Sequence, residues 1–169
     1  MKLWSELPED RSQPGGIFYV VEGGKIALGP VPAFGEADNS AAKKAGNETE
    51  DPTRPFGDHP WGLYRVMGVR DKPEPARSYG PAFLPLDPVH GEALAAEESG
   101  RTGLGIHGGD PAADGSLRVT HGCLRLRNAD AAKLAALVQR KLKTPNATVF
   151  YECRPLGHSP LREFTQWED

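Results

Sequence analysis

The sequence predicts a β-dominated single domain with one main helix late in the chain, and three observations carry that expectation. Short runs of β-branched, aromatic and alternating residues recur between clusters of turn formers. Glycine and proline are abundant, 20 and 16 of 169 residues, so a large share of the chain is turn and loop. A helical apolar stripe of useful length occurs in one place only, near residues 129–141. A chain of this length fits one domain, taken as residues 1–169, and is long enough to bury a core without staples.

In chain order, residues 1–15 are polar and read as an irregular lead-in. Gly16-Ile17-Phe18-Tyr19-Val20-Val21 reads as a strand, Glu22-Gly23-Gly24 as a turn, and Lys25-Ile26-Ala27-Leu28 as the return strand. Residues 36–60, rich in Gly, Asp, Asn and Pro, read as a long surface loop. Trp61 to Met67 alternates as a strand does, with Trp61 and Tyr64 facing the core. Pro81 to Leu86 carries prolines that suit an edge strand or extended segment. Lys43-Lys44 and Glu92 to Glu98 read as solvated surface, and His59, His90 and His158 as solvated loop histidines. Gly103 to Ile106 is a short apolar strand that ends at His107. Ala129 to Lys141 is the helix: Asn128 is placed to cap it, Ala131, Leu134, Ala135, Leu137 and Val138 form its apolar face, and basic residues sit at its C-terminal end. Ala147 to Glu152 is a closing strand. Residues 153–169 form a tail whose Phe164 and Trp167 are expected to dock back on the body.

Composition narrows the function. A net charge of −3 gives no electrostatic footprint for nucleic acid. No apolar run approaches the ~18 residues of a membrane span. The start, Met1-Lys2-Leu3-Trp4-Ser5-Glu6, has no signal-peptide core. Two cysteines permit one disulfide and do not demand it; Cys153, after an apolar strand, reads as a buried free thiol.

The chemistry concentrates in one segment of the motif region 103–152. Ile106-His107-Gly108-Gly109 is followed, after ten residues, by Thr120-His121-Gly122-Cys123-Leu124-Arg125. A cysteine becomes nucleophilic when an imidazole can take its proton. The intervening loop is long enough to bring Cys123 back beside His107. The amides of Gly122 and Cys123 are then natural donors to an oxyanion, and the Cys123 thiol pKa is expected to be depressed by His107. Bland readings stand beside these. Cys123 alone could be a buried structural thiol, and Arg125 could pair with a surface acid. His107, His121 and Cys123 could bind zinc, but no fourth ligand is evident. His107 precedes the cysteine by 16 residues, which is neither the papain order nor the caspase signature.

The His-Gly and Thr-His-Gly-Cys-Leu-Arg elements closely resemble the signature of L,D-transpeptidase catalytic domains of the YkuD type, and Pro60-Trp61-Gly62-Leu63-Tyr64 resembles that family's upstream strand. The resemblance covers roughly residues 60–70 and 103–152. It implies a β-sandwich-like domain acting on peptidoglycan stem peptides through a cysteine thioester, with no metal or cofactor. An amine resolving the thioester gives cross-linking or D-amino-acid exchange, and water gives an L,D-carboxypeptidase. Carried over by position, Cys123 is the nucleophile, His107 the base, and the Gly108 carbonyl its orienting group. His121 lines the oxyanion side, Gly122 supplies backbone there, and Arg125 and Thr120 meet substrate. The substrate class implies action in the periplasm or cell wall. With no signal peptide in this chain, that means a specialised secretion route or a longer parent chain. A secreted antibacterial toxin of the same fold, with an immunity protein as partner, is the second reading. A non-catalytic wall-binding module is the third.

Overall fold

The computed structural model describes residues 1–158, 160 and 161. Nine strands and four helices follow in chain order: β1 (Lys2–Leu7), β2 (Ile17–Glu22), β3 (Lys25–Phe34), α1 (Asn39–Lys44), β4 (Gly62–Val66), β5 (Arg70–Asp71), α2 (Ala76–Tyr79), β6 (Ala82–His90), α3 (Glu92–Glu98), β7 (Gly105–His107), β8 (Leu124–Leu126), α4 (Asn128–Leu142) and β9 (Phe150–Pro155). The strand order is β4-β9-β1-β2-β3-β8-β7-β6-β5, and a further pairing of β4 with β6 closes the sheet on itself.

Two long strands make that closure. β3 pairs with β2 over Lys25–Pro32, then passes to β8 at Ala33 and Phe34. β6 pairs with β7 over Phe83–Pro85 and with β4 over Leu86–His90. Each belongs to both layers, so the result is a sandwich stitched along both sides, as the mainly-β expectation required. β6 also carries β5 on its other flank, Arg70 opposite Phe83. It is therefore not the edge strand its prolines suggested: Pro85 lies where the strand changes partners, and Pro88 lies at a register shift in its pairing with β4. The β2–β3 hairpin matches the sequence reading. Gly23 and Gly24, at φ 60° and 79°, supply the two left-handed residues of a tight turn between Glu22 and Lys25.

The core lies between the layers, built from Leu3, Leu7, Phe18, Val20, Tyr64, Leu84, Ile106, Leu124, Leu126 and Tyr151, all at most 1% exposed. α4 lays Ala131, Leu134, Ala135 and Val138 against it, with Leu137 half-buried beside them. Its start differs from the sequence reading in detail. Arg127 occupies the cap position, and the Asn128 side chain instead accepts from the Gly109 N–H at 2.7 Å, tying the helix to the turn after β7.

Four segments depart further from expectation. Residues 1–15 are not a lead-in: β1 is buried and runs between β2 and, in parallel, β9. Residues 36–60 are not a plain surface loop. They contain α1 and a turn organised by Asn47, 1% exposed, whose side chain donates to the Asp51 and Pro55 carbonyls. Glu92 to Glu98 is an amphipathic helix burying Ala93 and Ala96, with the Glu92 carboxylate accepting from the Trp61 N–H at 2.9 Å. The closing strand runs to Pro155 and so takes in the first residues of the tail. Phe164 and Trp167 lie outside the described residues. Cys123 and Cys153 are both free thiols.

Leu134→Ala, at a fully buried position on α4, is expected to lower unfolding free energy by about 2–5 kcal/mol through lost burial and a residual cavity. Lys133→Ala, one residue earlier on the exposed side, should change it by no more than about 0.5 kcal/mol. Urea unfolding of both variants checks this.

Candidate active site

β7 and β8 are parallel neighbours, with Ile106 opposite Leu124 and His107 opposite Arg125. Continuing the register by one residue sets Cys123 against Gly105, on the same side of the sheet as His107. Both residues line one cleft of about 630 Å³, together with Tyr79, Phe83, Arg101, Thr120, His121 and Arg125. The two groups that the sequence placed sixteen residues apart are thus brought to one wall.

His107 is 2% exposed, and its ring is held by two aromatic neighbours and one hydrogen bond. It stacks on Phe83 with centroids 5.7 Å apart and meets the edge of Tyr79 at 5.2 Å. Nδ1 donates to the Gly108 carbonyl at 2.7 Å; a carbonyl can only accept, so the proton sits on Nδ1 and Nε2 carries the lone pair. Gly108 lacks a side chain because a Cβ there would stand 2.3 Å from the Asn128 Oδ1. Burial is the main reason the imidazole pKa falls to about 4, with Arg125 acting the same way and the Gly108 bond opposing.

The cysteine is not pre-activated. Burial pushes its thiol up to about 11, against the pull of a Gly105 backbone hydrogen bond, Arg101 and Arg125. Its hydrogen bond runs to the Gly103 carbonyl at 3.7 Å rather than to His107. The depressed thiol expected from the sequence is therefore corrected. Thiol and imidazole are both neutral at rest, because the low-dielectric floor of the cleft disfavours either charged form.

The turn before β8 is locally bonded. The Thr120 hydroxyl donates to the Cys123 carbonyl at 2.9 Å and accepts from the Gly122 N–H at 2.9 Å. Thr120 lines the cleft, but most of its hydrogen-bonding capacity closes this turn. The Gly122 amide, engaged in the same way, is not the ready donor the sequence suggested. His121 is exposed at the mouth, its ring edge-on to Phe56 at 5.3 Å. Arg125 is 5% exposed, donates to the Ser78 carbonyl at 3.0 Å, and has a buried Nε without a partner among the described residues.

Two residues that sequence reasoning missed complete the neighbourhood. His59, read as solvated, is fully buried. Its Nδ1 donates to the Gly122 carbonyl at 2.9 Å, and its Nε2 accepts from the Tyr151 hydroxyl at 3.1 Å, which in turn bonds Ser5 at 2.7 Å. Burial drives its pKa down to about 3. Its place just before Pro60-Trp61-Gly62 was the one available signal. Arg101, 4% exposed, donates to the Gly57 carbonyl at 2.6 Å and the Asp58 carbonyl at 2.8 Å, and also reaches Pro52. It pins the 46–58 turn under the cysteine, and no motif marked it. His90 and His158 are exposed, as expected. Among the described residues no three His, Cys, Asp or Glu side chains are grouped to hold a metal.

Two consequences are measurable. Iodoacetamide reacts with the thiolate, so a thiol near 11 predicts that Cys123 alkylation accelerates about tenfold per pH unit from about pH 6 to about pH 9, without levelling; a plateau near neutrality would contradict it. Stability should fall in acid. His59 and His107 have folded values below their unfolded ones, so the unfolded chain binds more protons below about 6.5, and each removes about 1.4 kcal/mol per pH unit down to its folded value. Asp58, raised to about 6 by burial, opposes one of them between about 6 and about 4. The contribution of these three groups over that interval, a loss of about 1.4 kcal/mol per unit, is read from the difference in urea midpoints at successive pH values between the native protein and variants of these residues.

Similar solved structures share the fold. A mutant form of the helical cell shape determining protein Pgp2 from Campylobacter jejuni matches with a TM-score of 0.55 at 21% identity, covering 90% of this chain and 47% of that one. Bdellovibrio bacteriovorus Bd1075 matches with a TM-score of 0.50 at 16% identity, covering 87% of this chain and 46% of that one. The chain thus spans about half the length of these two proteins, and at such identities the likeness shows the fold alone. No protein of curated function matches it. Among the described residues no helix is long and apolar enough to cross a membrane. Residues 10–149, most of the chain and both walls of the cleft, match the L,D-transpeptidase catalytic domain named YkuD, and the protein belongs to that family.

Proposed function

We propose that this domain is a cysteine acyltransferase acting on peptidoglycan stem tetrapeptides. The observation that carries the reading is the parallel β7–β8 register, which seats Cys123 and a Nδ1-protonated His107 on one wall of a single cleft. The resting pair is neutral, so His107 Nε2 acts as a general base as the thiol attacks rather than holding a standing ion pair. The sulfur bonds to the carbonyl carbon of the third stem residue. Negative charge on the carbonyl oxygen is met by the Cys123 N–H, the amide this turn leaves for it. Collapse breaks the peptide bond, the terminal D-alanine leaves with the proton that His107 took, and a thioester remains. An amine then restores a peptide bond in exchange or cross-linking, or water releases the shortened peptide.

The walls suit such a ligand. Among the described residues Arg77, Arg101, Arg118 and Arg125 line the cleft against a single acid, Asp38, so the field favours a peptide ending in a free carboxylate. The Nε of Arg125, without a partner among the described residues, is a further donor on this wall. His121 and Phe56 form a rim over which the chain of the substrate can pass.

Mass spectrometry of purified muropeptides incubated with the protein tests the proposal. The expected result is loss of terminal D-alanine from tetrapeptides, or its replacement by an added D-amino acid, with the rate falling about a thousandfold or more in Cys123→Ala and in His107→Ala. Unchanged tetrapeptides, or near-native turnover by Cys123→Ser, would sink it.

A further inference from the structure

His59 lies outside every motif that marked the site, yet it is bonded to the backbone of the nucleophile turn. We infer that His59 is a positioning residue: its Nδ1–H holds the Gly122 carbonyl and so fixes the peptide unit whose other end is the Cys123 N–H. The inference rests on the reading of Cys123 as the nucleophile. A peptide unit is planar and trans, so its C=O and N–H point in opposite directions. Anchoring the Gly122 oxygen in the core at 2.9 Å therefore directs the Cys123 N–H away from the core, towards the cleft.

The turn needs such an anchor. Gly122 has φ +102°, and a Cβ there would stand 1.8 Å from the Arg101 Nη2 and 2.3 Å from the Gly57 oxygen, so only glycine fits. Glycine is also the residue least able to hold its own conformation. The anchor itself is rigid. The His59 ring lies 5.6 Å from Tyr64 at an interplanar angle of 20° and 5.8 Å from Tyr151, and it is fully buried. Because Nδ1 must donate to a carbonyl, Nε2 must accept, so the Tyr151 hydroxyl donates to it and Ser5 donates to Tyr151. One directed row of hydrogen bonds thus runs from β1 through β9 to the nucleophile turn. Arg101 Nη2, 3.5 Å from the same oxygen, adds a weaker second contact.

Two reactions of Cys123 separate this role from simple packing. With p-nitrophenyl acetate the sulfur bonds to the acetyl carbon, an oxyanion forms, the ester C–O bond breaks, and p-nitrophenolate leaves while His107 takes the thiol proton. With iodoacetamide the sulfur displaces iodide at a saturated carbon, and no oxyanion forms. His59→Asn keeps a donor near Nδ1, whereas His59→Gln places its amide near Nε2. In the full chain, acetylation of Cys123 is expected to fall about 10- to 100-fold in His59→Gln, with alkylation within about twofold of native, while His59→Asn retains acetylation to within about threefold. Tyr151→Phe, which removes the hydroxyl holding Nε2, should lower acetylation selectively by a smaller factor, and it serves if His59→Gln does not fold. Equal acetylation in all variants, or acetylation and alkylation falling together, would overturn the role. A native protein not acetylated at Cys123 would instead refute the nucleophile assignment, and this inference with it.

Discussion

The pairing of β7 with β8 is the constraint on which the cleft depends. Each strand is three residues long, and a parallel ladder of that length has little stability of its own. It persists because its neighbours are long and shared between layers. β6 holds β7 from one side and β3 holds β8 from the other, and both continue into the opposite layer. The closed sheet therefore acts as a frame for a few residues that could not hold their register alone. Ile106 and Leu124, fully buried and opposite each other, lock that register from the core side. A slip of one residue would turn one of them into the cleft.

Around this pair the fold accepts buried polar groups and satisfies them through the backbone. Arg101 is held by carbonyls of the 46–58 turn, and Arg125 by those of Ser78 and Asp110. Removing one guanidinium would leave several carbonyls unpaired, a larger loss than the bonds are worth singly. This explains how a glycine- and proline-rich segment stays ordered beneath Cys123. It also leaves cationic charge beside the thiol with no ion pair among the described residues to cancel it.

That charge does not ionise the cysteine at rest. Desolvation outweighs both arginines, so the cleft floor keeps thiol and imidazole neutral. A neutral thiol is a poor nucleophile towards stray electrophiles. Under the proposed reaction the proton moves only when a carbonyl is seated to receive the sulfur, and specificity is then set by the walls rather than by intrinsic reactivity.

The β-dominated fold, the hairpin at Gly23-Gly24, the core face of α4 and the His107–Cys123 segment on the cleft were legible in the chain. These are local matters: alternation, turn chemistry and helical periodicity act over a few residues, and His-Gly and Thr-His-Gly-Cys lie on contiguous chain. Long-range packing sets where β1 goes, that β6 is internal, and that His59 and Arg101 sit under the Gly122–Cys123 turn. Each of these depends on partners far away in sequence; the His59–Gly122 bond spans 63 residues and the β1–β9 pairing about 150. Solvation is the clearest case. Motif spacing implied a lowered thiol pKa, but a pKa is fixed by how much water and charge surround the group, and only the packed cleft sets that.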